Sequence, residues 1–267
     1  TCYSWRGILM YIKKILQRVL RFINVLFLKK ELPSKIAIYF HDLKQKEIDD
    51  LESILLFFKE RDYKFVNLYQ LNKKLESNEK LISITFDDGF SSWSDSLPVF
   101  DKYNAKATFF MNTIMFTNES KEIFLQNINY IEKTNLIKIN DLKNILQAGH
   151  EVGAHTHEHH TLSDMNIEDF KKDVRKNIEL LVGLGVAPKT FAIPFGMRRY
   201  VTSEQIEYLK QNFDCIAYGE PGMLFNHNQG YIQRYPWRSE KSFKYNINNI
   251  STDTSFFNNL TKRSGLG

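Results

Sequence analysis

The sequence predicts an α/β fold built from parallel βαβ units, either closed as a barrel or laid out as an open sheet. From Pro33 onward, short β-rich runs alternate with helical stretches at the spacing such units require. The chain has 267 residues, 43% of them hydrophobic, enough for one sizeable core or two small ones, so disorder as the main state is excluded. No internal repeat is present, which sets solenoids and propellers aside.

The N-terminal segment comes first. From Ile8 to Leu28, Leu9, Ile12, Leu16, Val19, Ile23 and Phe27 recur at three- and four-residue steps, while Lys13, Lys14, Gln17, Arg18, Arg21 and Asn24 fill the other face. This is the pattern of a basic amphipathic helix, which lies either in a lipid interface or against the barrel. Its charges interrupt every window that would serve as a membrane span or a signal-peptide core. Met10 opens the segment MYIKK in the manner of a natural start, so residues 1–9 read as upstream or added sequence. Strands are expected at 36–40, 64–68, 81–86, 106–111, 151–154, 190–193 and 214–218. Asn140 is read as the cap of a helix carrying Leu142, Ile145 and Leu146 and ending at Gly149. Asn166 caps another with Ile167, Phe170, Val174, Ile178 and Leu181 on one face and Gly183 and Gly185 past its end. Residues 112–139 are polar and read as a long excursion between core strands. The boundaries expected are an extension at 1–32, a main domain at 33–250 and a polar tail at 251–267.

Charge and cysteine content say little about partners. Thirty-six Lys+Arg against 31 Asp+Glu give a net +5 that is spread over both halves, and no nucleic-acid-binding motif accompanies it, so no nucleic-acid partner is expected. Two cysteines, Cys2 and Cys215, exclude a disulfide framework.

Two motifs carry chemistry. Ile84-Thr85-Phe86-Asp87-Asp88-Gly89 is an apolar strand ending in adjacent carboxylates. Consecutive side chains at a strand end point to different sides, so one carboxylate can bind a cation while its neighbour stays free as a base. In the run from His150 to His160, five of the seven histidines fall within eleven residues. His155 and His159, at i and i+4, would share a face of one helical turn and suit a single divalent metal. With a carboxylate from another strand they make a two-histidine, one-carboxylate site that leaves positions open. His157 and His160 are read as non-ligands, and His150 as a structural residue whose protonated ring is favoured by a helix C-terminus.

The stretches TFDDGFSSWSDSLPVFDKYNAKATFF, LQAGHEVGAHTHEHHTLS and TFAIPFG, taken in order, resemble the successive motifs of the polysaccharide deacetylases, carbohydrate esterase family four, over residues 36–237. The resemblance implies a distorted (β/α) barrel, a divalent metal, most often zinc, and hydrolysis of the acetamide of an N-acetylated amino sugar in a polysaccharide or lipid-linked glycan. Carried over residue by residue, it makes Asp88, His155 and His159 the metal ligands and Asp87 the catalytic base. The family's usual Arg-x-Pro-Tyr-Gly is here Ala192-Ile193-Pro194-Phe195-Gly196, a departure that resembles the branch acting on poly-N-acetylglucosamine. Pro194 and Phe195 are then substrate-binding, with the Phe195 N–H toward the oxyanion. No histidine follows His227, and Ile36-Ala37-Ile38-Tyr39-Phe40-His41-Asp42 resembles the permuted acid motif of that branch, which makes His41 the catalytic acid. Arg234 and Trp237 resemble the late motif that lines the pocket, with Arg234 orienting Asp87 in place of the missing arginine.

Two rival readings are a metal-dependent amidase acting on a small linear or cyclic amide, and a non-catalytic sugar-binding protein; the intact Asp87, Asp88, His155 and His159 argue against the second. The helical pattern over residues 10–30 suits contact with a membrane surface, and the expected location is the cell envelope.

Overall fold

The computed structural model describes residues 32–128, 136–220 and 231–251. The expected N-terminal helix, the start at Met10, the tail beyond residue 251 and part of the 112–139 excursion lie outside these residues. The chain divides into two compact units, of which Ser34–Glu240 holds the sheet; described residues 241–251 belong to the other. Among the described residues no helix is long and apolar enough to cross a membrane.

Among the described residues nine strands form one sheet, and every pairing in it is parallel: β1 (Lys35–Phe40), β2 (Lys64–Phe65), β3 (Leu81–Phe86), β4 (Ala107–Met111), β5 (Glu151–Ala154), β6 (Thr190–Ala192), β7 (Cys215–Tyr218), β8 (Tyr231–Gln233) and β9 (Tyr235–Pro236). The order is β8-β7-β6-β5-β4-β3-β1-β9, with β2 paired to the first half of β3. A single residue, Arg234, separates β8, which pairs with β7, from β9, which pairs with β1. The two ends of the strand order are therefore one extended segment, and the sheet closes on itself as a distorted (β/α) barrel. Closure leaves the strands buried on both faces, which explains their near-continuous apolar runs.

The helices between strands are α1 (Gln45–Lys59), α2 (Leu68–Lys73), α3 (Leu97–Lys102), α4 (Glu122–Asn127), α5 (Ile139–Gln147), α6 (Ile167–Gly183) and α7 (Ser203–Asn212). Asn166 caps α6 as its sequence predicts, its Oδ1 accepting from Glu168 N (3.1 Å) and Asp169 N (2.9 Å). Helix α5 instead starts one residue before Asn140. Lys138 is its cap residue, and Asp141 Oδ2 accepts from the Lys138 N–H at 2.9 Å, tying the first turn from inside. The run expected as a strand over 64–68 stops at Phe65, because Asn67 accepts from Gln70 N and opens α2. Helix α6 runs through Gly183 and buries Asn177, while Ile178 is only half-buried. An aromatic cluster of Phe86, Phe109, Trp93 and Phe100 fills the space beside β3 and β4, with Phe86 and Phe109 stacked at 4.8 Å.

Candidate active site

In a parallel barrel every strand points its C-terminal end at the same rim, where loops collect functional groups. His41 follows β1, Asp87 and Asp88 follow β3, His155 follows β5, Phe195 and Gly196 follow β6, and Arg234 follows β8. These residues, with Tyr39 and His159, line a cavity of about 420 Å³.

Asp87 and Asp88 leave β3 in different directions. The Asp87 carboxylate accepts a two-pronged pair of bonds from Arg234, Nη1 to Oδ1 at 2.7 Å and Nη2 to Oδ2 at 2.8 Å. Arg234 is 1% exposed, lies between the rings of Tyr39 and Phe110, and also donates to Thr85 Oγ1 at 2.9 Å. Its fork geometry fixes the plane of the carboxylate. Asp88, at φ +85°, turns the other way toward the histidines. Its Oδ1 lies 3.2 Å from both His155 Nε2 and His159 Nε2, and its Oδ2 lies 3.9 Å from His41 Nε2.

His155 Nδ1 donates to the Ala192 carbonyl at 2.8 Å, which fixes the ring and leaves Nε2 as the nitrogen that faces Asp88. Burial pushes the Asp88 carboxyl up, but His159, His155 and His41 outweigh it and hold the group well below the usual carboxylate range. Burial lowers His155, yet Asp88 and Asp87 raise it overall; for His159 burial wins and the value is lowered. An anionic carboxylate and two buried imidazoles, their ligand atoms all within 4.8 Å of one another, make a donor set that fits one divalent ion.

The two histidines do not share a helical turn, as their spacing suggested. Residues 155–161 form a loop in which Thr156 (φ +68°) and His159 (φ +58°) are left-handed, and Thr156 Oγ1 accepts from His159 N at 3.0 Å. Left-handed backbone at a threonine and a histidine is strained and persists only when its surroundings enforce it. Two buried amides do so. Asn112 Nδ2 donates to the carbonyls of His155 and Thr156, and Asn177 Nδ2 donates to Thr156 O (2.6 Å) and Met111 O (3.0 Å). Phe195 is also left-handed, and Gly196 beside it meets Gly219 so closely that an added Cβ would lie 2.6 Å from Gly219 Cα.

His41 stands at the cavity edge with its side chain 53% exposed, its carbonyl accepting from Trp93 Nε1 at 2.9 Å. Pro194 and Trp237 are not among the residues lining the cavity. The Trp237 indole instead donates to Asp50 Oδ2 at 3.0 Å and packs near Phe40, because β9 turns it outward to α1. His150 is not protonated as a helix-end histidine would be: its Nδ1 accepts from Ala107 N at 3.1 Å, and burial, reinforced by Lys106, lowers it to about 4. Sequence reasoning missed Tyr39, whose phenol burial pushes up to about 12, as well as Trp93, Asn112 and Asn177. Tyr39 and Trp93 sit inside quoted motifs, so their position next to His41 and Asp88 was the available signal.

Fold and rim together define a closed parallel barrel with a buried two-histidine, one-carboxylate centre and a second carboxylate clamped beside it. The chain belongs to the polysaccharide deacetylase family, which residues 74–212 match. It is 29% identical over 145 residues to the peptidoglycan-N-acetylglucosamine deacetylase of Bacillus cereus, a match covering 53% of this chain and 45% of that protein. The chain thus spans less than half the length of that relative. Its fold is similar to that of the Streptococcus pyogenes deacetylase PplD, solved in complex with acetate (TM-score 0.64, 18% identity, 83% of this chain and 99% of that one). A de-N-acetylase from Aggregatibacter actinomycetemcomitans is similar to the same degree (TM-score 0.64, 17% identity, 81% and 99%). The family is metal-dependent, and Asp88, His155 and His159 are the candidate site for the ion.

Proposed function

We propose that this protein removes the acetyl group from an N-acetylated amino sugar in a polysaccharide or lipid-linked glycan, releasing acetate and leaving a free amine, with zinc as the ion held by Asp88, His155 and His159. The observation that carries the reading is the division of labour between adjacent carboxylates, Asp88 turned into the histidines and Asp87 held in plane by Arg234 on the same cavity.

An unstrained amide resists water, so three things are needed: a sharpened nucleophile, a stabilised oxyanion and a protonated leaving amine. A divalent ion in this site supplies electrophilic polarisation and a water of lowered pKa. Asp87 takes the proton from the attacking water, and the guanidinium of Arg234 holds its carboxylate in plane. The Phe195 N–H is the donor assigned to the oxyanion. His41, at the mouth of the cavity, returns a proton to the departing amine. Phe195, 42% exposed and with its ring 4.8 Å from that of His159, offers an apolar wall for a sugar ring.

Incubation of the zinc-loaded protein with N-acetylglucosamine oligomers, with acetate and free amine measured together, tests this. Release of both in equal amounts is expected; release from small cyclic imides but not from the oligomers would favour an amidase. Location in the cell envelope, with residues 10–30 on a lipid surface, is a further part of the proposal. The full chain should sediment with anionic liposomes, and a version with Lys13, Lys14, Arg18 and Arg21 replaced by Gln should not.

A further inference from the structure

The loop that carries His155 and His159 presents a second set of donor atoms. His157 and Glu158, together with Glu119, bring one imidazole nitrogen and two carboxylate oxygens within 4.8 Å of one another. We propose that these three residues hold a second divalent cation, of the transition-metal type that accepts mixed nitrogen and oxygen donors.

His157 is the first argument. It is 1% exposed, and its Nδ1 is engaged with Thr113 Oγ1 at 2.9 Å, which fixes the ring. The other nitrogen, Nε2, is buried and has no hydrogen-bond partner among the described residues; it lies 3.5 Å from Glu119 Oε2, outside hydrogen-bonding geometry. A buried imidazole nitrogen left without a partner calls for a ligand that supplies one.

Charge is the second. The three donors open on a cavity of about 560 Å³ whose wall adds Asp164, Asp169 and Asp173, against Lys172 and Lys176. Five carboxylates facing two ammonium groups make a field that favours a cation. Asp173 has a further part: its Oδ1 accepts the His157 N–H at 2.8 Å and its Oδ2 the Glu158 N–H at 3.2 Å, so one carboxylate anchors the backbone of both donors from behind.

Lys176 completes the picture. Its Nζ lies 2.7 and 2.8 Å from the two oxygens of Glu119, and His160 Nε2 lies 2.7 Å from Glu158 Oε2. A monovalent cation already sits where the field favours one, and a divalent ion competes with it for Glu119. One imidazole and two carboxylates suit Zn²⁺ or Mn²⁺ and leave positions for water. Because His157 and Glu158 lie between the ligands of the other centre, an ion here ties that loop to the segment carrying Glu119.

Zinc titration of the full chain by calorimetry, with metal content measured after dialysis, tests the site independently of any activity. Two ions per chain are expected in the wild type, one in Glu119→Gln and one in Asp88→Ala. Glu119 has a half-exposed side chain, so its neutral substitution leaves folding intact. Lys176→Gln removes the competing charge and should tighten the second ion about tenfold. A single ion in the wild type that Glu119→Gln retains overturns the proposal, as does a second ion that survives both Glu119→Gln and Glu158→Gln. A single ion lost in Glu119→Gln but kept in Asp88→Ala would uphold this site and sink the reading of Asp88 instead.

Discussion

Asp87 and Asp88 are neighbours in sequence with opposite surroundings, and their different chemistry follows from that. Asp88 faces imidazoles; Asp87 faces a guanidinium buried as deeply as itself. Two consequences are testable. Asp87→Asn should keep the ion, since Asp88 and the histidines are untouched, and should lower kcat by about 10²-fold or more on an N-acetylglucosamine oligomer, the usual worth of a positioned proton transfer. His41→Ala should do the same; near-normal turnover would show that another group serves as the acid. Arg234→Met leaves the buried Asp87 carboxylate unpaired and should cost about 3–5 kcal/mol in urea unfolding, whereas a loss below about 1 kcal/mol would mean that water reaches the pair. Arg234 reaches the Asp87 carboxylate from the segment between β8 and β9, where the two ends of the strand order meet.

At the scale of elements, the strands were legible because a parallel barrel buries them on both faces, so Leu81–Phe86 and Ala107–Met111 read as apolar runs in any window. Strands β8 and β9 were not, since Gln233-Arg234-Tyr235-Pro236 mixes a buried charge with a proline, and only the closed topology explains why such residues sit in a strand. The histidine spacing picked out two rings that do meet at Asp88, but predicted a helical turn where the chain forms a loop. Spacing of four is satisfied equally by a helical turn and by a loop with two left-handed residues, and the difference is made by Asn112 and Asn177, remote in sequence. Asn177 stands in a helix face that periodicity alone assigns to apolar packing. Removing its amide should therefore disturb the candidate metal site more than the helix: Asn177→Ala is expected to weaken divalent binding about 10- to 100-fold while circular dichroism stays helical, as is usual when a group behind a ligand is lost. Unchanged affinity would mean that Asn112 alone holds the loop.

Across the whole molecule, closure of the barrel buries ionisable groups whose titration then couples to folding. His150 is held neutral between β4 and the aromatic cluster, lowered to about 4 by burial and by Lys106, against an ordinary value of 6.5. The unfolded chain takes up a proton there that the folded one refuses, so the stabilisation is complete above about pH 6.5 and is lost as the pH falls toward 4. A shift of this size is worth about 3 kcal/mol at most, of which about 2 kcal/mol is gone by pH 5. Glu151 and Asp173 are raised by burial and act with the opposite sign, binding a proton more readily when folded, so the bare pH profile mixes the two effects. A difference measurement separates them. His150→Phe removes the acceptor for the Ala107 N–H and lowers stability at every pH, yet the gap between wild type and variant should narrow by about 2 kcal/mol from pH 7.5 to pH 5 in urea unfolding. A constant gap would show that the folded protein protonates His150 and that the barrel opens to water at that point.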